Sequence, residues 1–151
     1  MRRRGAETSS RRVLLVLAAV LGCTAPAAAP GRVVVRDAFA FEAPSGGTAA
    51  GYAVIVNGTD SADVLDSVST PSARSATAHG TKQENGLVSM VPLNAPVIAA
   101  HDSLLFQPGG SHLMLEDLLG DLKDGERLVL VFWFHRAGRI AVDAMVRPYG
   151  S

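Results

Sequence analysis

The chain has 151 residues, of which 48% are hydrophobic and 19% charged, with a formal net charge of zero. That length and balance suit one globular domain with one core and exclude a disordered chain. The zero is unevenly built: residues 1–29 hold five arginines and Glu7, which leaves 9 Lys+Arg against 13 Asp+Glu, a net of −4, in the rest. An acidic domain of this kind gives nucleic-acid binding no electrostatic footing.

The N-terminus is that of an export signal. Arg2, Arg3, Arg4, Arg11 and Arg12 precede an apolar run from Val13 to Leu21, and Ala25-Pro-Ala-Ala-Ala-Pro30 follows. The run is too short to span a bilayer, and cleavage near Ala27 or Ala29 fits the small-residue rule. Three export routes stay open. The arginines suit an ordinary secretory signal, Ser10-Arg-Arg-Val-Leu-Leu15 resembles a twin-arginine signal, and Val20-Leu-Gly-Cys23 resembles a lipoprotein box with an unusual Leu21. Membrane attachment is expected only if Cys23 is lipidated. Cys23 is also the only cysteine. The exported domain therefore folds without a disulfide, and any metal site in it must be built without thiolate.

One domain is expected from residue 33 to residue 151, and its reading is all-β. Short β-branched and apolar runs alternate with Gly, Pro, Asn and Asp. The predicted strands are Val33–Phe41, Gly51–Asn57, Asp63–Ser69, Arg74–Thr81, Leu87–Leu93, Ser103–Gln107, His112–Asp117, Arg127–His135 and Arg139–Val146. Turns are expected at Asn57-Gly58, Asn85-Gly86, Pro108-Gly109-Gly110, Asp124-Gly125 and Ala137-Gly138, with one helical turn over Leu118–Lys123. Many short strands at this spacing predict a β-sandwich with Greek-key connections. The near-continuous apolar run Arg127–Phe134 predicts a strand buried on both faces, with Trp133 in the core, and Met145 is expected there too.

Four residues carry the chemistry: His79, Met90, His112 and Met114. Two imidazoles and two thioethers suit zinc, calcium or magnesium poorly and suit Cu(I) well. Asn85-Gly86 signals a two-residue type I′ turn, which sets Thr81 opposite Met90. His79 then shares a face with Thr81 and becomes a diagonal neighbour of Met90. A one-residue slip would separate them. His112 and Met114 share a face as residues i and i+2, leaving Leu113 and Leu115 for the core. His101 and His135 fall outside the pattern and are expected to be structural or solvated.

The spacing of these four residues, H-x10-M-x21-H-x-M, resembles that of the periplasmic PCu(A)C copper chaperones. Asp37-Ala-Phe39, Ala49-Ala-Gly-Tyr52, Ser69-Thr-Pro71, Met90-Val-Pro92 and Pro108-Gly-Gly-Ser-His-Leu-Met-Leu115 extend the likeness from about Arg36 to Val146. It implies a cupredoxin-like sandwich holding one Cu(I) per chain on His79, Met90, His112 and Met114. It also implies a copper-accepting partner: the CuA subunit of cytochrome oxidase, a Sco-type protein, or both. The chain is expected to be a monomer and not an enzyme. Gly80-Thr81 departs from the Met or Glu-Met that many members carry after the first ligand, and Phe39–Gly47 is less typical. The His/Met-rich C-terminal tail of some members has no counterpart in Arg147–Ser151, so no second, Cu(II) site is expected.

Thioether and imidazole resist the oxidation that would close a cysteine pair in an oxidising compartment. Imidazole must lose its proton to bind a metal, so such a site weakens below about pH 6.5. A blue-copper electron carrier would need a cysteine ligand, and no hydrolase motif is present. A copper storage or resistance protein and a metal-free sandwich module stay open as alternatives.

Overall fold

The computed structural model describes residues 31–150, so the export signal and its Cys23 lie outside the described residues. Ten strands form: β1 Val33–Phe41, β2 Ala49–Asn57, β3 Asp63–Ser69, β4 Ala73–Glu84, β5 Leu87–Pro92, β6 Val97–Ile98, β7 Ser103–Phe106, β8 His112–Leu118, β9 Arg127–Phe134 and β10 Gly138–Arg147. They join in one hydrogen-bonded path, β5-β4-β8-β2-β1-β10-β9-β3-β6, with β7 also on β2. The path folds over so that β3 lies beside β4 without pairing to it. This is the all-β, cupredoxin-like sandwich that was expected.

A single core fills the interior. Ile55, Leu113 and Leu115 enter from one half, and Leu130, Phe132, Ala144 and Val146 from the other. Burying a leucine fully contributes about 2 kcal/mol. Leu113 and Leu115, both 0% exposed, therefore clamp the strand that carries His112 and Met114. Strand β1 bulges between Arg36 and Phe39, where Asp37 takes φ 55. Asn57, wholly buried, is a hub rather than a hairpin residue. Its amide donates to the carbonyls of Ser61, Ile98 and Ala99 at 2.9–3.1 Å, and its oxygen accepts from Thr59 N and Oγ1.

Several expectations are corrected. Arg127–Phe134 buries one face fully and the other only at its middle: Leu128, Leu130, Phe132 and Phe134 point inward, while on the other face Val129 and Trp133 are exposed and Val131 is buried. Trp133 is thus outside the core, 43% exposed, with its Nε1 donating to Ser69 Oγ at 3.4 Å. Met145 also faces outward, because Ala144 and Val146 take the inward phase of β10. Leu118–Lys123 forms no helical turn. Leu122 instead makes a bridge to Ala43, with N–O distances of 2.9 and 3.2 Å, and buries its side chain. Strand β6, two residues in a proline-flanked loop, was not anticipated.

Candidate metal centre

Asn85 and Gly86 take φ 52 and 78, the paired positive values of a type I′ turn. The hairpin they close has the expected register, with Glu84 facing Leu87, Lys82 facing Ser89 and Thr81 facing Met90. On its other side β4 pairs with β8, setting His79 directly opposite His112 and Thr77 opposite Met114. Strand β4 is thus the middle of three. Side chains alternate along strands, so His79, Met90, His112 and Met114 share one face of β5-β4-β8.

The two imidazole rings lie 6.0 Å apart, centroid to centroid, and 19° from parallel. Imidazole lone pairs lie in the ring plane, so an ion shared by the two rings would sit at their nitrogen edges, about 2 Å from each nitrogen, and not between their faces. Met90, His112 and Met114 line a shallow cavity of about 240 Å³. His79 borders a separate groove of about 530 Å³ between β3 and β4, reaching the group from its flank. Met90 is 65% exposed, whereas His79, His112 and Met114 are half-buried.

The Pro-Gly-Gly block orders this site. Gly110 N donates to Gln107 O at 3.0 Å across Pro108-Gly109, and Gly109 takes φ 80, the type II arrangement with proline first and glycine second. Gln107 N bonds Ser111 O at 2.8 Å, pinching the loop between β7 and β8. The Gly110 carbonyl is thereby turned toward two side chains. His112 Nδ1 lies 3.3 Å from it, and Thr81 Oγ1 donates to it at 3.0 Å. A carbonyl only accepts, so His112 Nδ1 carries the proton and Nε2 keeps the lone pair a metal needs. Thr77 Oγ1 stands 3.4 Å from His79 Nδ1 and steadies the second ring.

The departure Gly80-Thr81 therefore has a structural use. Thr81 ties the β4–β5 hairpin to the loop that orients His112. A Cβ at Gly80 would stand 3.0 Å from Leu93 Cδ2, so the backbone there is closely packed. Sequence reasoning missed this carbonyl hub, which forms between residues 29 positions apart. It also missed Phe41, Glu42 and Tyr149, which line the same cavity as Met90, His112 and Met114.

His101 and His135 stay apart from the group. His101 Nε2 faces Asp60 at 2.8 Å, and His135 Nδ1 is 4.0 Å from Asp66. Among the described residues no three His, Cys, Asp or Glu side chains come together to hold a metal. Beside the paired imidazoles the cavities are lined by the thioethers of Met90 and Met114 and by the carboxylates of Glu42 and Glu116.

Fold and side-chain grouping together define a β-sandwich of the PCuAC-domain type. Residues 33–146 match the family described as "Putative lipoprotein LpqE-like", and the chain belongs to that family. "Putative lipoprotein Lxx21020" of Leifsonia xyli subsp. xyli (strain CTCB07) is 31% identical over 148 residues, 92% of this chain and 89% of its own. The copper-bound PCuAC domain from PmoF2 superposes with a TM-score of 0.66 at 24% identity, over 80% of this chain and 97% of that one. The apo PCuAC domain from PmoF1 gives 0.62 at 26%, over 80% and 98%. The Cu(I)-bound solution structure of DR1885 from Deinococcus radiodurans gives 0.55 at 26%, over 78% and 80%.

Proposed function

We propose that this protein is an extracytoplasmic copper chaperone that carries one Cu(I) on His79, Met90, His112 and Met114. The observation that carries the reading is the placement of these four side chains on one face of β5-β4-β8. Solved PCuAC domains described as copper-bound and Cu(I)-bound lend it support. Four neutral donors would make a soft coordination sphere, suited to Cu(I) rather than to a divalent ion. The names of its family and its relative favour a lipoprotein, with Cys23 as the lipidated residue.

Ligand exposure favours transfer over storage. Met90 sits on an edge strand and is 65% exposed, so an incoming ligand displaces it first. Met114 follows, and the two histidines leave last. The acceptor that the family resemblance implies is the CuA centre of cytochrome oxidase, directly or through a Sco-type protein. No step in this exchange makes or breaks a covalent bond in a substrate, so the protein is not an enzyme.

Competition against a chromophoric Cu(I) chelator under reducing conditions tests the reading. One-to-one binding that collapses in His112→Ala and Met114→Ala supports it. Binding indifferent to both substitutions would leave a metal-free sandwich module. Anaerobic transfer of the bound Cu(I) to an apo CuA domain then separates a chaperone from a storage protein, which would retain its ion.

A further inference from the structure

The metal cavity has two aromatic rings in its wall that the four-residue motif does not assign. Phe41, at the end of β1, and Tyr149, just past β10, line the same cavity as Met90, His112 and Met114, with Glu42 between them in the sequence. Phe41 is buried, whereas Tyr149 is 82% exposed. A side chain so open needs restraint to stay at a cavity mouth, and here it has several contacts. Its ring meets Phe41 at 5.2 Å and 60°, and Phe41 in turn meets Tyr52 at 5.5 Å edge-on. The segment leading to it is held by Glu42 N donating to Arg147 O at 2.9 Å. The Arg147 guanidinium, 4.2 Å from the Phe39 ring centroid, secures the same stretch. Burial, and after it the nearby Tyr149 phenol, push the Tyr52 phenol above its ordinary range, which places the two tyrosines in one cluster.

From this geometry we infer that Tyr149 is a binding residue of the Cu(I) pocket, an aromatic outer wall whose π face attracts the cation and keeps water from the thioether side. The inference rests on the copper reading above. Its physical basis is that the four ligands are neutral, so that of the cavity's lining only the Glu42 carboxylate opposes the ion's charge, and an aromatic face attracts a nearby cation through its quadrupole. The phenol oxygen has no part in this, so the ring and not the hydroxyl matters.

The test is Cu(I) competition titration of the parent, Tyr149→Phe, Tyr149→Leu and His112→Ala, with ultraviolet difference spectra recorded at each addition. The chain has two tyrosines, so subtracting the Tyr149→Phe spectrum isolates the Tyr149 signal. Tyr149→Phe should keep the parent affinity, and Tyr149→Leu should lose about two- to fivefold, the worth of an exposed cation–π contact. The Tyr149 absorption should shift and saturate at one equivalent of Cu(I). A site that His112→Ala destroys, but that leaves Tyr149→Leu at parent affinity and the tyrosine absorption unmoved, would overturn the aromatic wall and spare the copper site. Loss of affinity in Tyr149→Phe equal to that in Tyr149→Leu would also overturn it, by assigning the effect to the hydroxyl. Parent-like binding by His112→Ala would instead remove the copper reading itself, and the wall with it.

Discussion

His79 and His112 face each other directly across the β4–β8 ladder, their rings 6.0 Å apart and nearly parallel. Thirty-three positions of sequence separate them, yet this pair is the most closely defined part of the site. Neither needs the β4–β5 hairpin to find the other. If both rings hold the proposed Cu(I), their contributions to its affinity should be coupled. In a double-mutant cycle, His79→Ala and His112→Ala should each weaken binding by more than the 10–100-fold typical of an outer-shell partner. The double variant should lose much less than the sum. Additive losses measured by chelator competition would show that the rings do not share one ion.

The ring of His112 has a defined proton position. Its Nδ1 faces the Gly110 carbonyl at 3.3 Å, which accepts and cannot donate. In the metal-free protein at neutral pH, the ring nitrogen correlations of His112 should show the Nδ1–H tautomer, with Nε2 moving when Ag(I) or Cu(I) is added. An Nε2–H tautomer would contradict this arrangement. Thr81→Val, which removes the second donor to the same carbonyl, should weaken Cu(I) binding about fivefold, the worth of one hydrogen bond of about 1 kcal/mol.

Turn chemistry carries Met90. Asn85 and Gly86 both need positive φ, and replacing both with alanine imposes roughly 1–2 kcal/mol of strain per residue. The hairpin beyond Thr81 lies outside the core: Leu87 and Val88 are 75% and 66% exposed. The double alanine variant should thus drop Cu(I) affinity toward that of Met90→Ala while its thermal midpoint stays within a few degrees of the parent. A large fall in the midpoint would mean that the hairpin supports the fold and not the site alone.

Much of this was legible in the sequence because short-range rules govern it. Asn85-Gly86 fixes a register, and alternation then puts His79 with Met90 and His112 with Met114. The pairing of β4 with β8, and so of His79 with His112, is a long-range choice that no local signal encodes. The same holds for the Thr81–Gly110 tie and for Tyr149, which reaches the cavity from the far end of the chain. Hydrophobicity and alternation alone put Trp133, Met145 and both faces of Arg127–Phe134 inside, but which phase of β9 and β10 faces the core is a tertiary choice that local sequence does not encode. At Leu122 a tertiary bridge to Ala43 overrides local helix propensity.

Acid should unfold the domain partly through Asp63. Burial alone would push this carboxyl up, but the backbone N–H groups of Arg136, Ala137 and Val64, at 2.8–2.9 Å, and the Arg136 charge outweigh it and hold it below the usual carboxylate range. It ties the start of β3 to the β9–β10 turn, and it is 3% exposed. With the folded carboxyl below its unfolded value of about 3.9, the unfolded chain takes up the proton first as acid is added. The stabilisation is therefore complete at neutral pH, begins to drain below about pH 5 and is lost as pH falls through the folded value. Asp63→Asn leaves one carbonyl oxygen where two carboxylate oxygens served three donors, a loss of about 2 kcal/mol at pH 7. Urea unfolding of parent and variant at pH 7, 5, 4 and 3 should show that gap narrowing steadily with acid. A gap independent of pH would mean that the carboxylate charge adds nothing to the anchor.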